Sequence, residues 1–161
     1  MPTQPFTNLE LQRFIDAHQI EATILPMAEH TPTVPDAARA LGVATEQIIK
    51  SLVFIINGDP LLVINNGTAL VDTKPIATQL GVGRKRVKFA TPEQALEISG
   101  YVVGSMPPFG HKQRLRTFID PAVMELAVIY GGGGVVDAML RLTSAELLRV
   151  TAGELVAVSQ G

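Results

Sequence analysis

Apolar residues in this chain fall into short runs broken by Gly, Pro, Asn and Asp. The longest run, Leu52 to Ile56, is far too short to cross a bilayer. Ser51 to Ile56 is dense in Val, Ile and Phe and predicts the clearest strand. Asn57-Gly58-Asp59 turns it into a second strand, Leu61 to Asn65, and Asn66-Gly67 repeats the hairpin signal before Ala69 to Val71. These three runs read as a meander at the centre of a sheet. Helices are marked by their caps. Thr7-Asn8-Leu9-Glu10, Thr91-Pro92-Glu93-Gln94 and Thr143-Ser144-Ala145-Glu146 are capping boxes that open helices running to about His18, Ser99 and Val150. Asp72 caps a helix to Leu80 that Gly81 closes, and Thr33 or Asp36 caps a shorter one, Ala37 to Leu41, closed by Gly42. Further helical turns are expected at Thr45 to Ile49 and after Asp120-Pro121. Shorter strands are expected at Glu21 to Leu25, Val87 to Phe89, Tyr101 to Val103, Leu115 to Ile119, Leu126 to Tyr130 and Leu155 to Val158. His30 to Pro35 holds two prolines and is irregular.

Strands outnumber helices, and short helices punctuate the hairpins. The fold class expected is α+β: a mixed, partly closed, barrel-like sheet with short surrounding helices, rather than a doubly wound parallel sheet. At 161 residues, 47% hydrophobic and 17% charged, the chain reads as one ordered domain, residues 1–161, with a core of its own. Met1-Pro2-Thr3-Gln4-Pro5 has no basic n-region and no apolar h-region, so no signal peptide is expected and the cytoplasm is the expected compartment. The absence of cysteine excludes disulfides and thiol chemistry.

A net charge of −2 would argue against a nucleic-acid partner, but the charge is unevenly spread. Lys74, Arg84, Lys85, Arg86, Lys88, Lys112, Arg114 and Arg116 face only Glu93 and Glu97 within the same segment. That is either a solvated basic face or a footprint for RNA phosphates, with Lys74, Arg84, Lys85, Arg86 and Lys88 as the RNA-binding candidates.

The most constrained stretch is Gly104-Ser105-Met106-Pro107-Pro108-Phe109-Gly110. Two prolines and two glycines fix its backbone beyond the needs of an ordinary turn, around a Met and a Phe that look exposed. It offers main-chain donors and carbonyls, and Ser105 adds a hydroxyl. Ser105 lacks a G-x-S-x-G elbow and a neighbouring base, so it is not read as a nucleophile. Lys50 opens the strongest strand between apolar neighbours, where it either snorkels to the surface or grips a carbonyl or phosphate oxygen. Gly131 to Gly134 is either a flexible hairpin or an anion-binding nest. Asp137, beyond it in an apolar stretch, needs a partner, and Lys50 is a candidate. His18, His30 and His111 lack metal-ligand spacing, so no metal and no cofactor are expected.

Several pieces, in order and along nearly the whole chain, resemble the YbaK/ProX family of aminoacyl-tRNA deacylases, relatives of the editing domain inserted in bacterial prolyl-tRNA synthetase. They are Ala37-Ala38-x-x-Leu41-Gly42, Ile49-Lys50-Ser51-Leu52, Val71-Asp72-x-Lys74, Leu80-Gly81, Gly100-Tyr101-x-Val103-Gly104-x-x-x-Pro108-Phe109-Gly110, Asp120, Gly131-Gly132 and Ser144-x-x-Glu146-Leu147. The lysine strand combined with Gly-x-x-x-Pro is the specific part. The resemblance implies a pocket closed by the loop, which holds the aminoacyl ester and terminal adenosine, with the strand lysine needed for activity. Those catalytic roles fall on Lys50, Gly104 and Pro108, with Ser51, Ser105, Met106, Phe109, Gly132 and Asp137 expected to bind substrate. Ile129-Tyr130-x-Gly132 with Asp137 resembles the Cys-tRNA(Pro) branch, while the segment typical of alanine-specific relatives is absent. Members specific for serine or threonine also exist.

The function expected is therefore trans-editing: hydrolysis of a small amino acid such as Cys, Ala or Ser from mischarged tRNA, with tRNA(Pro) as the expected carrier and prolyl-tRNA synthetase as a possible second partner. The alternatives are a non-catalytic module of the same fold that binds tRNA or a synthetase, and a small-molecule hydrolase or amino-acid sensor indifferent to RNA and salt.

Overall fold

The computed structural model describes residues 4–28, 31 and 33–160. Part of the irregular stretch at His30 to Pro35 and the first three residues of the chain lie outside these. The apolar run at its centre lies in β2 (Ile49–Ile56), which pairs antiparallel along its whole length with β3 (Asp59–Asn66). Asn57 and Gly58 make the turn with φ of 51° and 86°, the left-handed pair a two-residue hairpin requires. Beyond β3 the expected meander does not continue. β3 instead pairs in parallel with β5 (Thr117–Ile119), and Val71 makes a single bridge to Ser159. The Gly67 N–H turns back to the Ile48 carbonyl (2.8 Å), closing the end of the hairpin rather than starting a third strand.

The chain forms two sheets. One has the order β4-β2-β3-β5-β8, with β4 at Val87–Phe89 and β8 at Glu154–Leu155. The other has the order β1-β7-β6, from Ala22–Pro26, Ala138–Thr143 and Val128–Gly132. A parallel bridge between Ile48 and Tyr130 joins them, so the sheet is partly continuous and does not close. Alternation along β2 sends Ile49 and Val53 into one core with Tyr101, Met106 and Phe109. Phe54 and Ile56 enter a second core with Ile76, Phe118 and Val158. Strands with both faces buried read as continuous apolar runs, which is why β2 and β3 are so legible.

Helices surround the sheets: α1 (Asn8–Ala17), α2 (Val34–Leu41), α3 (Thr73–Leu80), α4 (Pro92–Ser99), α5 (Pro121–Met124) and α6 (Ser144–Thr151). Thr7 and Thr91 make the expected capping boxes. α2 starts earlier than the pattern suggests, because Pro35 sits in the first turn, where a missing N–H costs nothing. At α6 only half of the expected box forms. Thr143 accepts the Glu146 N–H (3.1 Å), but the Glu146 carboxylate binds the Glu21 N–H (2.7 Å) and tethers the helix to the start of β1. Tyr101 to Val103 is not a strand. Gly100 ends α4 with φ 91°, the Tyr101 N–H is taken by Ser99 Oγ, and Ser105 turns back onto Val102.

Candidate active site

A cavity of about 280 Å³ opens beside the first residues of β2. Lys50 and Ser51 form one wall, Gly104 and Met106 a second, and Gly132 and Met139 a third. Val34 and Ala37 of α2 and Ala95 of α4 make the rest largely apolar. Five of the sequence-predicted residues therefore converge here: Lys50, Ser51, Gly104, Met106 and Gly132.

Lys50 is half-buried, and its Nζ donates to the Ala69 carbonyl. Asn65, directly opposite on β3, donates its Nδ2 to the same oxygen at 3.0 Å. Burial holds the Lys50 ammonium below its ordinary pKa. Among the described residues no carboxylate pairs with it. The suggested Lys50–Asp137 pair is not formed: Asp137 is exposed in the β6–β7 turn, outside the cavity lining, where its carbonyl accepts the Met27 N–H. An ammonium has three donors, so two of them remain beyond the Ala69 contact.

The proline–glycine loop is a partition between two cavities. Gly104 is exposed to the first, with φ 97° and open space where a Cβ would lie. From Ser105 onward the chain is buried. Ser105 Oγ donates to the Val102 carbonyl (2.7 Å), its N–H to the same oxygen (3.0 Å), and its carbonyl accepts the Gly134 N–H (3.0 Å). Its hydroxyl is thus spent inside the loop. Met106 and Phe109, which look exposed in sequence, are buried, and Phe109 stacks on Phe14 at 5.8 Å. Pro108 and Phe109 face a second cavity of about 370 Å³, shared with Phe14, His18, His111 and Arg114. The structure does not bring these two to Lys50, because the loop crosses the interior and its two halves look in opposite directions.

Four ties hold this partition. Tyr101, fully buried, donates its hydroxyl to the Gly110 carbonyl at 3.0 Å. Burial, and then the Glu10 charge, keep that hydroxyl protonated by raising its pKa. His111 Nε2 lies 2.8 Å from the Pro107 carbonyl. Burial lowers the His111 pKa to about 4, partly offset by that bond, so the ring is neutral at neutral pH and Nε2 carries the donated proton. Gly134 supplies the third tie. Gly132 is the fourth: a Cβ built on it would sit 2.2 Å from the Met106 carbonyl oxygen. Sequence reading missed Tyr101 and His111 as fixing residues; the available signal was a polar tip at either end of a loop with two prolines. It also missed Val34, Ala37 and Met139, whose only signal is an apolar position.

The candidate cations lie on α3, on the turn at 84–86 and on β4. Lys74, Lys85, Arg86 and Lys88 are exposed, while Arg84 contacts Asp72 at 3.5 Å and Thr73 Oγ1 at 3.0 Å. β4, which carries Lys88, ends at Phe89, and Phe89 and Ala90 lie on the cavity rim. Arg116 is paired with Glu154. Among the described residues no group of three or more His, Asp or Glu stands together, and no helix is long and apolar enough to cross a membrane.

Comparison with known proteins gives a consistent picture. The profile of the aminoacyl-tRNA editing domain matches residues 28–150. The multifunctional Ser/Thr-tRNA deacylase ProXp-y of Escherichia coli strain K12 is 30% identical over 120 residues, 71% of this chain and 71% of that protein. A proline–tRNA ligase of Listeria innocua is 28% identical over 108 residues, covering 66% of this chain and 19% of the ligase. A crystal structure of a candidate trans-editing enzyme for prolyl tRNA synthetase superposes with a TM-score of 0.89 at 26% identity, over 96% of this chain and 97% of that one.

Proposed function

We propose, for a chain that belongs to the aminoacyl-tRNA editing domain family and is an aminoacyl-tRNA deacylase, that it acts in trans on tRNA carrying a small amino acid. The carrier proposed is tRNA(Pro), and the amino acids are Ser, Thr, Cys or Ala. The observation that carries this reading is the convergence of Lys50, Ser51, Gly104 and Gly132 on one small cavity with apolar walls. Such a cavity admits short side chains and excludes long ones, and one methylene is discriminated by about 1–3 kcal/mol. The relative named for Ser and Thr supports the hydroxyl-bearing substrates.

In this reading the ester enters with its amino acid in the cavity and its terminal ribose at the Gly104 rim. The open space at Gly104 lets the ribose approach the main chain closely. Lys50 keeps the Ala69 contact and turns a second N–H to an ester or phosphate oxygen. Among the described residues of the lining no Asp, Glu or His is present to act as general base, so the attacking water is activated by the substrate's own neighbouring ribose hydroxyl. Lys85, Arg86 and Lys88 hold the acceptor stem.

The test is deacylation of a panel of mischarged tRNAs. At least one small-amino-acid ester is cleaved faster than its spontaneous hydrolysis, and Lys50→Ala slows that cleavage about 100-fold. An uncleaved panel overturns the reading, and a fully active Lys50→Ala overturns the site.

A further inference from the structure

We infer that the main chain of Ser51, at an open edge of β2, is the group that receives the reacting ester: its N–H binds the carbonyl oxygen and its C=O the α-ammonium of the aminoacyl group. This rests on the deacylase reading above.

The β4 ladder stops short of Ser51. β2 is flanked by β3 along its whole length, but β4 pairs only as far as Phe54. The last contact on that side is the Ala90 N–H to the Val53 carbonyl, at 3.0 Å. At the other end Ile48 meets Tyr130 through a single bridge. Between them, among the described residues, no ladder pairs Lys50 to Leu52 on the side away from β3.

Two hydrogen bonds fix which way Ser51 faces. The Val53 carbonyl accepts from Ala90, so it points away from β3. Main-chain groups alternate along a strand, so those of Ser51 point the same way. Independently, the cross-strand partner of Ser51 is Ile64, whose carbonyl accepts the Asp120 N–H at 2.9 Å on the β5 side. Ser51 and Ile64 are therefore a non-hydrogen-bonded pair, each turned outward. The Ser51 N–H and C=O enter the gap where β4 has ended, and Ser51 lines the cavity. Among the described residues no ladder pairs Ser51 on that side, and the buried Ser51 Oγ has no hydrogen-bond partner. An unmet buried polar group costs about 1–3 kcal/mol, so the Ser51 hydroxyl beside a strand edge without a ladder marks a place that a polar ligand completes.

The opposite wall has few donors to offer. Pro107 and Pro108 have no N–H, and the Ser105 N–H is spent on Val102. Of the loop residues that line the cavity, Gly104 and Met106 keep an N–H. An aminoacyl ester carries its carbonyl oxygen and its ammonium on adjacent carbons. The N–H and C=O of one extended residue stand side by side at a strand edge, and together they match that acceptor and donor as an added strand would.

The step balances. The oxygen of water bonds to the ester carbon, and the carbonyl π pair moves onto the oxygen held by the Ser51 N–H. Collapse of that intermediate breaks the bond to the ribose oxygen, which takes a proton from the attacking water. The products are the free amino acid and deacylated tRNA.

The test uses the full chain and a mischarged tRNA that the wild type cleaves. Ser51→Ala sets the reference rate: it lacks the hydroxyl and keeps the main-chain donor in place. On that background, lactic acid replaces the introduced alanine by nonsense suppression. This exchanges the N–H for an ester oxygen with the backbone shape retained, and kcat falls about 100-fold further with KM little changed. Ser51→Pro, which also deletes the N–H at an unpaired edge position, shows the same loss. Melting temperatures establish that each protein tested is folded. Equal kcat for the lactic-acid protein and Ser51→Ala overturns the inference and leaves the deacylase reading standing. A wild type that cleaves no ester overturns both.

Discussion

Gly132→Ala isolates the fit between β6 and the loop. At Gly132 a Cβ would lie 2.2 Å from the Met106 carbonyl oxygen, 2.7 Å from its carbon and 3.0 Å from the Ser105 carbon. All three are main-chain atoms, so no side-chain rotation relieves the contact. The loop and β6 must separate by about 0.8 Å to reach the tightest approach a Cβ tolerates, and by about 1.2 Å for an ordinary contact. Overpacking of this kind costs about 1–3 kcal/mol. In a chain of this size each kcal/mol lowers the melting temperature by about 2–4 °C, so a drop of roughly 2–12 °C is expected. The moved segment carries Gly104 and Met106, one wall of the cavity, and a misplacement near 1 Å costs about 100-fold in rate. Deacylation of the best mischarged tRNA should therefore fall about 100-fold in kcat/KM. Gly81→Ala is the control: it replaces a glycine at positive φ, 68°, in open space outside the cavity lining, so it costs stability through the backbone without touching rate. Gly132→Ala with the expected loss of stability and unchanged kinetics would refute the idea that this loop sets the geometry of the site. An unchanged melting temperature would refute the close approach itself.

Two further outcomes follow from charge. With Lys85→Glu and Arg86→Glu combined, kcat/KM on tRNA should fall about tenfold, and the slope of log affinity against log salt should shrink by about 2; a minimal aminoacyl ester without the stem should be cleaved as before. His111 has a folded pKa of about 4 against an ordinary 6.5, so the unfolded chain binds the extra proton and stability falls as pH drops from 6.5 towards 4. Going from about pH 7.5 to about pH 5 should cost roughly 2 kcal/mol through this group in urea unfolding. His111→Gln should lose that part of the pH dependence, and an identical profile would refute burial as the cause of the shift.

What the sequence shows and hides follows from the range of each interaction. Capping boxes are local, and Thr7 and Thr91 make theirs as read. Glu146 keeps only half of its box because Glu21 and Arg149 compete for the carboxylate, and the Arg149 hydrogen bond, with the Glu21 N–H second, lowers its pKa to about 2. The β2–β3 hairpin is local too, through Asn57-Gly58. The parallel ladder of β3 with β5 joins segments far apart in sequence and leaves no mark near Asn66-Gly67, so that signal reads as another hairpin. Lys50 and Gly104 stand out by residue type and meet at one cavity. Pro108 stands out equally and faces the other one, because direction across a loop is a tertiary property. Asp137 suggests a partner for Lys50 by proximity in hydrophobic context, yet its position in the turn exposes it.

The deepest part of the site was hidden for a different reason: it is a missing partner, and composition does not record what is absent. Its cause is nonetheless written in the chain. β4 stops at Phe89 because the next residues commit to α4, with Thr91 as its N-cap and Pro92 in its first turn. A proline cannot donate to β2, and a cap residue turns the chain out of the sheet. Thr91-Pro92 therefore does two things. It starts a helix whose Ala95 lines the cavity, and it ends the strand that would otherwise cover Ser51. The basic residues of the turn at 84–86 lie at the start of β4, and the ladder opens at the other end of that strand. An RNA held by Lys85, Arg86 and Lys88 would then meet, at the end of that same strand, the unpaired edge that its ester requires.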